Sequence, residues 1–277
     1  MDAYVAPPRV NVLGVGISVL NLDTVVPVLD SALRSGQRGY ITVTGVHGVI
    51  ESQDDEALRR IHNASLLTTP DGMPMVWMGR FAGHGMMGRV YGPDLMERVF
   101  EWSRTRGVTH YFYGGQEGVV EVLSQRLAAR FPGLRIVGTF TPPFRPLTDA
   151  ERDALVAEVA RVRPDFFWVG LSTPKQERFM AAHRDLLEAR FLVGVGAAFD
   201  FFAGRVRQAP RWVQRSGFEW LYRLAMDFRR LWPRYSRIVP RFLWKAGWQL
   251  AGRRPPPLDT PVESVPPVPG ASRNACP

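Results

Sequence analysis

The fold is decided in residues 109–137, which read THYFYGGQEGVVEVLSQRLAARFPGLRIV. The apolar run Thr109–Tyr113 predicts a buried strand, Gly114 and Gly115 end it, and the amphipathic stretch that follows predicts a helix. The short apolar run Arg135–Val137 then predicts another strand. A strand, a helix and a second strand in this order predict two parallel strands joined by a crossover helix.

The same alternation extends over residues 1–204 and predicts one α/β core. Further apolar runs predict strands at Val10–Gly14, Tyr40–Thr44, Asp165–Val169 and Phe191–Val193. Amphipathic stretches predict helices at Thr24–Arg34, Ser52–Asn63, Leu95–Arg106, Gly118–Arg130, Asp149–Arg161 and Lys175–Leu187. The expected fold is therefore α/β, with a Rossmann-like, mostly parallel sheet covered by helices on both faces. Such sheets bind ligands at the carboxyl ends of their strands.

The pattern changes after Ala203, where helical segments replace the strands. Residues 205–250 are predicted to form a basic helical appendage, with helices at Trp212–Met226 and Arg229–Leu250. Residues 251–277 are rich in proline, and we expect them to form a disordered tail.

The positive charge of the chain is concentrated in this appendage. The formal net charge is +9, and residues 205–254 carry the excess, with only Glu219 and Asp227 as acidic residues. The same stretch contains Trp212, Trp220, Trp232, Trp244 and Trp248. Arginines interleaved with tryptophans suit a partner that is anionic and partly apolar, as membrane headgroups, nucleic acid and diphosphate ligands are.

Compartment and membrane topology follow from three sequence features. The N-terminus has no signal-peptide pattern, and the chain has no run of about 18 uncharged apolar residues. The single cysteine, Cys276, fits a reducing compartment and excludes a multi-cysteine metal site. We therefore expect a cytoplasmic protein that associates at most peripherally with the inner face of the membrane.

Pro70-Asp71-Gly72 follows an apolar run and places a carboxylate at a strand-to-helix loop. There Asp71 can act as a general base, because the glycine beside it admits a ligand. Position alone favours a structural role, in which Asp71 caps the helix predicted for Met73–Arg80.

Other residues at strand ends are candidates for substrate binding. Thr42, Thr44 and Gly45 end one strand, where hydroxyls and amides can hold a phosphate or a sugar. Gly114 and Gly115 end another and let a ligand approach the backbone closely. Each residue also has a purely structural interpretation, as part of a strand or a turn.

Charged and amide side chains follow later turns. Arg89 can clamp a diphosphate or be a solvated surface arginine. Lys175, Gln176 and Glu177 open a helix after a strand, and this helix start either faces the crevice or is a capped surface feature. Asp200 follows the last strand and can meet a sugar hydroxyl or cap a helix.

The sequence lacks the usual signatures of metal and nucleotide-cofactor sites. It contains no DxD pair, Walker A loop or zinc motif, so we expect no metal and no cofactor. Gly14-x-Gly16 lacks the third glycine of the dinucleotide fingerprint, because that position is Val19, and we interpret it as a tight turn. A diphosphate ligand would then be neutralised by arginines.

Taken together, these segments resemble the WecG/TagA/CpsF family of bacterial glycosyltransferases, from about Val10 to Tyr235. The resemblance rests on Leu66–Pro74, Arg89–Leu95, Pro174–Glu177, Gly194–Gly196 with Phe199-Asp200, and Ala209–Trp212 with Glu219–Leu224. It implies an inverting, metal-independent transferase that uses a UDP-sugar. Such an enzyme moves a hexose or N-acetylhexosamine, of the N-acetylmannosamine or glucose type, to an undecaprenyl-diphosphate-linked sugar during cell-surface or extracellular polysaccharide synthesis.

The resemblance also implies roles for single residues. Asp71 is expected to deprotonate the acceptor hydroxyl, and Gln176 and Asp200 to contact the nucleotide sugar. The family arginines correspond to Arg89, Arg223, Arg229 and Arg230. Two threonines can match the family's Thr-x-Asn motif, and we place Thr44 with Asp71 and Arg223 in the catalytic set, with Thr42 as the alternative.

The implied partners are a UDP-sugar donor, a polyprenyl-diphosphate-linked acceptor and an anionic membrane surface on which the appendage docks. A nucleic-acid-binding protein is the main rival, because arginine and tryptophan suit phosphates and base stacking. That alternative gives the strand-end residues no role, so we expect no nucleic-acid partner. The oligomeric state, including a homo-oligomer, stays open.

Overall fold

A computed structural model describes residues 4–206 and 208–258 of the chain, without the side chains of Arg211, Gln214, Arg215 and Arg230. Most of the predicted disordered tail, residues 259–277, lies outside the described residues. The strands are β1 Arg9–Val12, β2 Val15–Ser18, β3 Gly39–Thr44, β4 Leu67–Pro70, β5 Thr109–Gly114, β6 Arg135–Phe140, β7 Phe166–Gly170 and β8 Phe191–Gly194.

Helices connect these strands and continue beyond the last of them. In the core they are α1 Val25–Arg34, α2 Val46–Glu51, α3 Glu56–Ala64, α4 Met73–Phe81, α5 Gly92–Ser103, α6 Val119–Arg130, α7 Asp149–Val162, α8 Lys175–His183 and α9 Ala198–Phe202. The appendage contains α10 Arg211–Ser216, α11 Glu219–Met226 and α12 Phe228–Leu250.

The central sheet has six parallel strands in the order β4-β3-β8-β7-β5-β6. Side chains alternate between its two faces along each strand. Phe166 and Trp168 of β7 pack with α1, α5 and α6 on one face, while Phe167 and Val169 pack with α7 and α8 on the other. The predicted α/β class, with a parallel sheet covered on both faces, is therefore confirmed.

The first predicted strand lies outside this sheet. Residues of β1 and β2 pair antiparallel in a separate two-stranded hairpin. Its turn contains Leu13 and Gly14, both with positive φ, at 53° and 89°. Two consecutive residues with positive φ are typical of a two-residue hairpin turn, so the predicted tight turn at Gly14 is confirmed.

Three other local predictions were wrong. The strand β4 was not predicted, and the helix predicted for Ser52–Asn63 begins only at Glu56, as α3, after a separate helix α2 that ends at Glu51 and was not predicted. Asp55 separates them by capping α3, since its side chain accepts a hydrogen bond from the Leu58 amide. The long helix predicted for Trp212–Met226 is divided at Gly217, whose φ is +83°, between α10 and α11.

The helix α12 is packed onto the core. Its side chains Ile238, Phe242 and Ala246, spaced by four residues, are buried against the hairpin, α2 and α4. Ion pairs flank this contact, because Arg237 approaches Glu51 at 2.9 Å and Arg241 contacts Asp54. The appendage is thus a packed part of the molecule where the structure describes it.

The start of the predicted disordered tail also contacts the core. The Asn11 side-chain amide donates to the Pro256 carbonyl at 2.7 Å, and Leu258 lies against Gly16. Gln249, at the end of α12, bonds to the backbone of Asn11 and Leu13. These contacts tie residues 249–258 to the hairpin.

Candidate active site

A cavity of about 590 Å³ lies at the carboxyl ends of the central strands, under α11 and α12. The core lines it with Thr44, Gly45, Asp71, Trp77, Tyr91, Thr173, Gln176, Glu177 and Gly196, among others. The appendage lines it with Glu219, Arg223, Arg234, Tyr235, Ile238, Phe242 and Leu243, among others. Polar groups therefore converge from the sheet, while the appendage adds arginines and apolar side chains.

Asp71 follows β4 and is half-buried at the wall of this cavity. Its amide donates to the Thr44 carbonyl at 3.0 Å, which fixes the loop against the neighbouring strand. The following helix is capped by Gly72, without a side-chain hydrogen bond, so Asp71 does not serve as the helix cap. A side chain at Gly45 would come within 2.8 Å of the Asp71 carbonyl oxygen, so this close approach requires glycine.

The surroundings of Asp71 favour its neutral form. Burial raises the pKa of the Asp71 carboxyl to about 6, although Arg89 and Arg223 oppose the shift. The carboxylates of Glu219 and Asp94 add to the increase. A carboxyl group with a pKa near neutrality can exchange a proton with a substrate at physiological pH.

Two arginines and a glutamate form a compact cluster beside Asp71. Arg89 Nη2 lies 3.0 Å from Glu219 Oε2, and Arg223 reaches Glu219 Oε1 at 2.8 Å from Nη2 and at 3.1 Å from Nε. Arg223 also donates to the Tyr91 hydroxyl, and the Arg89 guanidinium lies over the Tyr91 ring at 4.3 Å. The cluster joins the core, through residues 89 and 91, to α11 of the appendage.

Thr44 ends β3, and its hydroxyl oxygen lies 3.2 Å from His62 Nδ1. His62 is fully buried, and burial lowers its pKa to about 4, so the imidazole is neutral at physiological pH. Its other nitrogen, Nε2, has no hydrogen-bond partner among the described residues. A neutral histidine thus holds the hydroxyl of a threonine that lines the cavity.

Gln176 and Glu177 open α8 and are both buried at the cavity wall. Gln176 Oε1 accepts from the Gly196 amide at 2.9 Å, and its Nε2 donates to Glu177 Oε1 at 3.0 Å. Thr173 donates to the same Glu177 oxygen at 2.9 Å, whereas Glu177 Oε2 has no partner among the described residues. The pKa of Glu177 is raised by burial.

The remaining predicted residues lie away from the cavity wall. Thr42 is fully buried and contacts the Thr68 hydroxyl at 3.2 Å, while Arg89 lies behind the wall in the arginine cluster. Lys175 and Arg229 are exposed. The residues Gly114, Gly115 and Asp200 also lie outside the cavity lining. For Arg230 only the backbone, within α12, is described.

Several cavity residues were missed in the sequence analysis. Glu219, Tyr91 and Trp77 lie within quoted motifs or beside them, but their neighbours in space come from distant segments. Arg234 and Tyr235 reach the cavity because α12 folds back over the core. The position of Glu219 as the main acidic residue of a basic segment was the one sequence signal that could have identified it.

The exposed side of the appendage is rich in large apolar side chains. The exposed large apolar residues of α12 are Phe228, Trp232, Leu243, Trp244, Trp248 and Leu250, all 46–68% exposed. Contiguous exposed apolar groups on a soluble surface commonly mark an interaction site. No helix in the described part of the chain is both long enough and apolar enough to cross a bilayer.

The sequence model of the glycosyl transferase WecG/TagA/CpsF family matches residues 10–256. The match therefore covers nearly all of the core, the appendage and residues 251–256, which follow α12.

Three similar proteins bear the name N-acetylglucosaminyldiphosphoundecaprenol N-acetyl-beta-D-mannosaminyltransferase. The protein from Bacillus subtilis is 28% identical over 176 residues, 64% of this chain and 66% of its own length. That from Bacillus spizizenii is 26% identical over 223 residues, covering 80% and 84%. That from Staphylococcus aureus is 24% identical over 241 residues, covering 86% and 91%.

Proposed function

The chain belongs to the WecG/TagA/CpsF family of glycosyltransferases, and from this premise we propose which sugar transfer it performs. The donor is a UDP-sugar and the acceptor is a sugar linked to undecaprenyl diphosphate. The names of the similar proteins favour N-acetylmannosamine as the transferred sugar and N-acetylglucosamine as the acceptor sugar. A glucose-type donor is the alternative.

The observation that carries the proposal is the placement of Asp71. Asp71 lines the cavity, burial raises its pKa to about 6, and Arg89 and Arg223 lie close enough to act on its charge. An uncharged sugar hydroxyl is a poor nucleophile, so a base at this point accelerates its attack. The leaving nucleoside diphosphate gains negative charge, which guanidinium groups stabilise.

The transfer step then follows from these groups. The Asp71 carboxylate takes the proton of the acceptor hydroxyl while the acceptor oxygen bonds to the anomeric carbon. The bond between that carbon and the diphosphate oxygen breaks, and UDP leaves with the electron pair. Attack from the side opposite to UDP inverts the anomeric configuration. Arg223 and Arg234 both line the cavity and can face the diphosphate.

Thr44 and the start of α8 supply the neutral contacts of the site. The Thr44 hydroxyl, held by His62, can bond to a sugar hydroxyl or a phosphate oxygen. Gln176, which lines the cavity, is fixed by the Gly196 amide and can contact the donor there. Thr44 and Gln176 thus orient the substrates, while Asp71 serves as the base and the arginines stabilise the leaving group.

The membrane contact is part of the same proposal. The acceptor is a lipid, so the cavity must open near a bilayer surface. Exposed Trp244, Trp248 and Leu243 of α12 suit the interfacial region of a membrane, where tryptophan is favoured. Arg237 and Arg241 are engaged by carboxylates of α2 and its following turn, so they contribute less to headgroup binding than their sequence suggests. We place the protein at the inner face of the cytoplasmic membrane.

The experiment is a donor screen with product detection by mass. Purified full-length protein is incubated with a series of UDP-sugars and a polyprenyl-diphosphate-linked N-acetylglucosamine acceptor. We expect one N-acetylhexosamine or hexose to be added, with UDP released in equal amount. Absence of any product across the series, with a folded protein, would contradict the proposed transfer.

A further inference from the structure

Glu219 occupies a position that the transfer chemistry described so far does not use. Its side chain is 16% exposed, and its two oxygens bind different guanidinium groups, Arg89 through Oε2 and Arg223 through Oε1. Arg89 belongs to the core and is 10% exposed, whereas Arg223 belongs to the appendage and is 35% exposed. One carboxylate therefore bridges two cations of different parts of the chain.

The charges near Asp71 come from every element packed around it. Arg89 and Tyr91 precede α5, Asp94 lies in its first turn, Glu219 and Arg223 belong to α11, and Tyr235 belongs to α12. Both tyrosine pKa values are raised by burial, so these hydroxyls are neutral at physiological pH. The charged groups that act on Asp71 are therefore Arg89, Arg223, Asp94 and Glu219, while Arg234 of α12 and His47 of α2 line the same cavity.

Charge balance shows what Glu219 does in this group. With Glu219 present, one carboxylate already compensates the arginine pair, so the ionised form of Asp71 gains less from the two cations. Without it, Asp71 and Asp94 would share the compensation of the arginines, and Asp71 would then hold its negative charge more firmly. A carboxylate held firmly in its ionised form is a weak base.

We propose that Glu219 is a positioning residue that keeps Asp71 able to accept a proton, by engaging Arg89 and Arg223 in its place. The same contacts orient Arg223, whose guanidinium lies between Glu219 and the Tyr91 hydroxyl at the cavity wall. The residue acts through Asp71 and Arg223 rather than on the substrate. This inference rests on the proposed transfer, in which Asp71 is the base.

The contact also couples the appendage to the chemistry. Arg89 and Tyr91 are core residues, so Glu219 and Arg223 reach them only when α11 is docked on the core. The basicity of Asp71 then depends on that docking. An enzyme whose acceptor is in the membrane would thus carry a fully active base only in the assembled state.

The test compares the pH dependence of transfer in three full-length variants. Glu219→Gln removes the charge but keeps the shape, and Glu219→Asp keeps the charge on a shorter side chain. Glu51→Gln is the matched control, because Glu51 also pairs with the appendage, at 2.9 Å from Arg237, but is not among the charges acting on Asp71. Transfer is measured as kcat from about pH 4.5 to 8, with thermal unfolding and UDP binding recorded for each variant.

We expect the acid limb of the kcat profile to move to lower pH by about one unit in Glu219→Gln, the size of effect that one nearby charge exerts. The plateau rate should fall several-fold, because the base is weaker and Arg223 is less well held. Glu219→Asp should keep its acid limb close to the wild-type position, and Glu51→Gln should keep both limb and plateau.

Three results overturn the inference. They are an acid limb in Glu219→Gln that stays at the wild-type position, one that moves to higher pH, and an equal shift in Glu51→Gln. An unchanged limb with a reduced plateau in both Glu219 variants would show a purely structural ion pair. Failure of the proposed function looks different, because the wild-type protein would then show no transfer, or Asp71→Asn would retain it.

Discussion

Replacing Asp71 by asparagine should lower the rate of sugar transfer and, at neutral pH, should raise the stability of the folded protein. Asparagine has nearly the same shape but carries no charge and cannot accept the acceptor proton. General-base catalysis by a positioned side chain contributes about 100- to 10,000-fold, so transfer should fall by at least about 100-fold. UDP binding should persist, because the base contacts the acceptor rather than the nucleotide.

The stability change follows from the pKa of Asp71. The folded pKa is about 6, against an ordinary value of 3.8. A raised carboxyl pKa means that this group favours folding below its unfolded pKa, and that the benefit is lost as pH rises through the folded pKa. A pKa difference of about 2 units lowers the free energy of unfolding of the wild-type protein at neutral pH by about 3 kcal/mol, because Asp71 is then ionised.

The assay is urea unfolding of both proteins at about pH 4.5 and about pH 7.5. The stability of Asp71→Asn relative to wild type should increase by about 2 kcal/mol between these values, since part of the titration already lies below the lower one. Asp153→Asn, which removes an exposed carboxylate of α7, is the control and should show a smaller change. Near-wild-type turnover by Asp71→Asn would refute its role as the base, and a relative stability independent of pH would refute its raised pKa.

Three further substitutions test other parts of the site and the surface. Glu177→Gln should weaken the binding of a UDP-sugar by about tenfold, while UDP itself is affected less than about twofold in calorimetry, because Glu177 Oε1 accepts from Gln176 Nε2 and the change would loosen the glutamine proposed to contact the donor sugar. Equal weakening of both ligands would show that Glu177 only supports the loop. His62→Leu should lower kcat by about tenfold with little change in KM, because the Thr44 hydroxyl loses its partner. His62→Asn should recover part of the lost kcat by restoring a contact with Thr44. Loss of folding in both variants would identify a structural role for His62. The double change Trp244→Ser with Trp248→Ser should reduce binding to anionic vesicles by about tenfold or more and leave unfolding unchanged, since both side chains are exposed. Phe144→Ser is its control, because it removes a 93% exposed aromatic side chain outside the appendage. Binding of the wild-type protein to RNA rather than to vesicles would favour the nucleic-acid alternative.

The structure also changes how the appendage should be tested. Deleting residues from 205 onward would expose core groups that α12 buries through Ile238 and Phe242. Loss of activity in such a truncation would therefore report unfolding as readily as a lost membrane contact. Substitutions on the exposed face of α12 avoid that ambiguity.

The local pattern predicted the elements that depend on near neighbours. The strand β5 and the helix α6 appear almost where periodicity predicted them, because alternating burial in a strand and an apolar stripe on a helix are written in consecutive residues. The strand β4 was missed because Leu67–Pro70 is short and contains two threonines. Its polar groups are satisfied by distant partners, such as the Ser18 hydroxyl that accepts from the Thr68 amide at 3.0 Å.

The residues of the candidate site also divide into those that the sequence identified and those that only the structure located. Asp71, Thr44 and Gln176 were candidates from the sequence because each lies at or after the end of an apolar run, and the family resemblance supplied their expected roles. Arg89 was found as a residue but not in its place, since it pairs with Glu219 behind the cavity wall. The charge run identified the appendage, but it could not show which cations are already paired with core carboxylates.

The sequence by itself determined the α/β class, the edge of the sheet at which the cavity lies and the family to which the chain is similar. These depend on periodicity, strand ends and motifs, which are properties of short segments. Only the tertiary structure decided that Glu219 bridges Arg89 and Arg223, and that Asp71 is buried enough for its pKa to approach neutrality. The pairing of Glu219 with Arg89 and the approach of Arg223 to Asp71 join residues more than a hundred positions apart, and that proximity exists only once α11 and α12 have folded back onto the sheet.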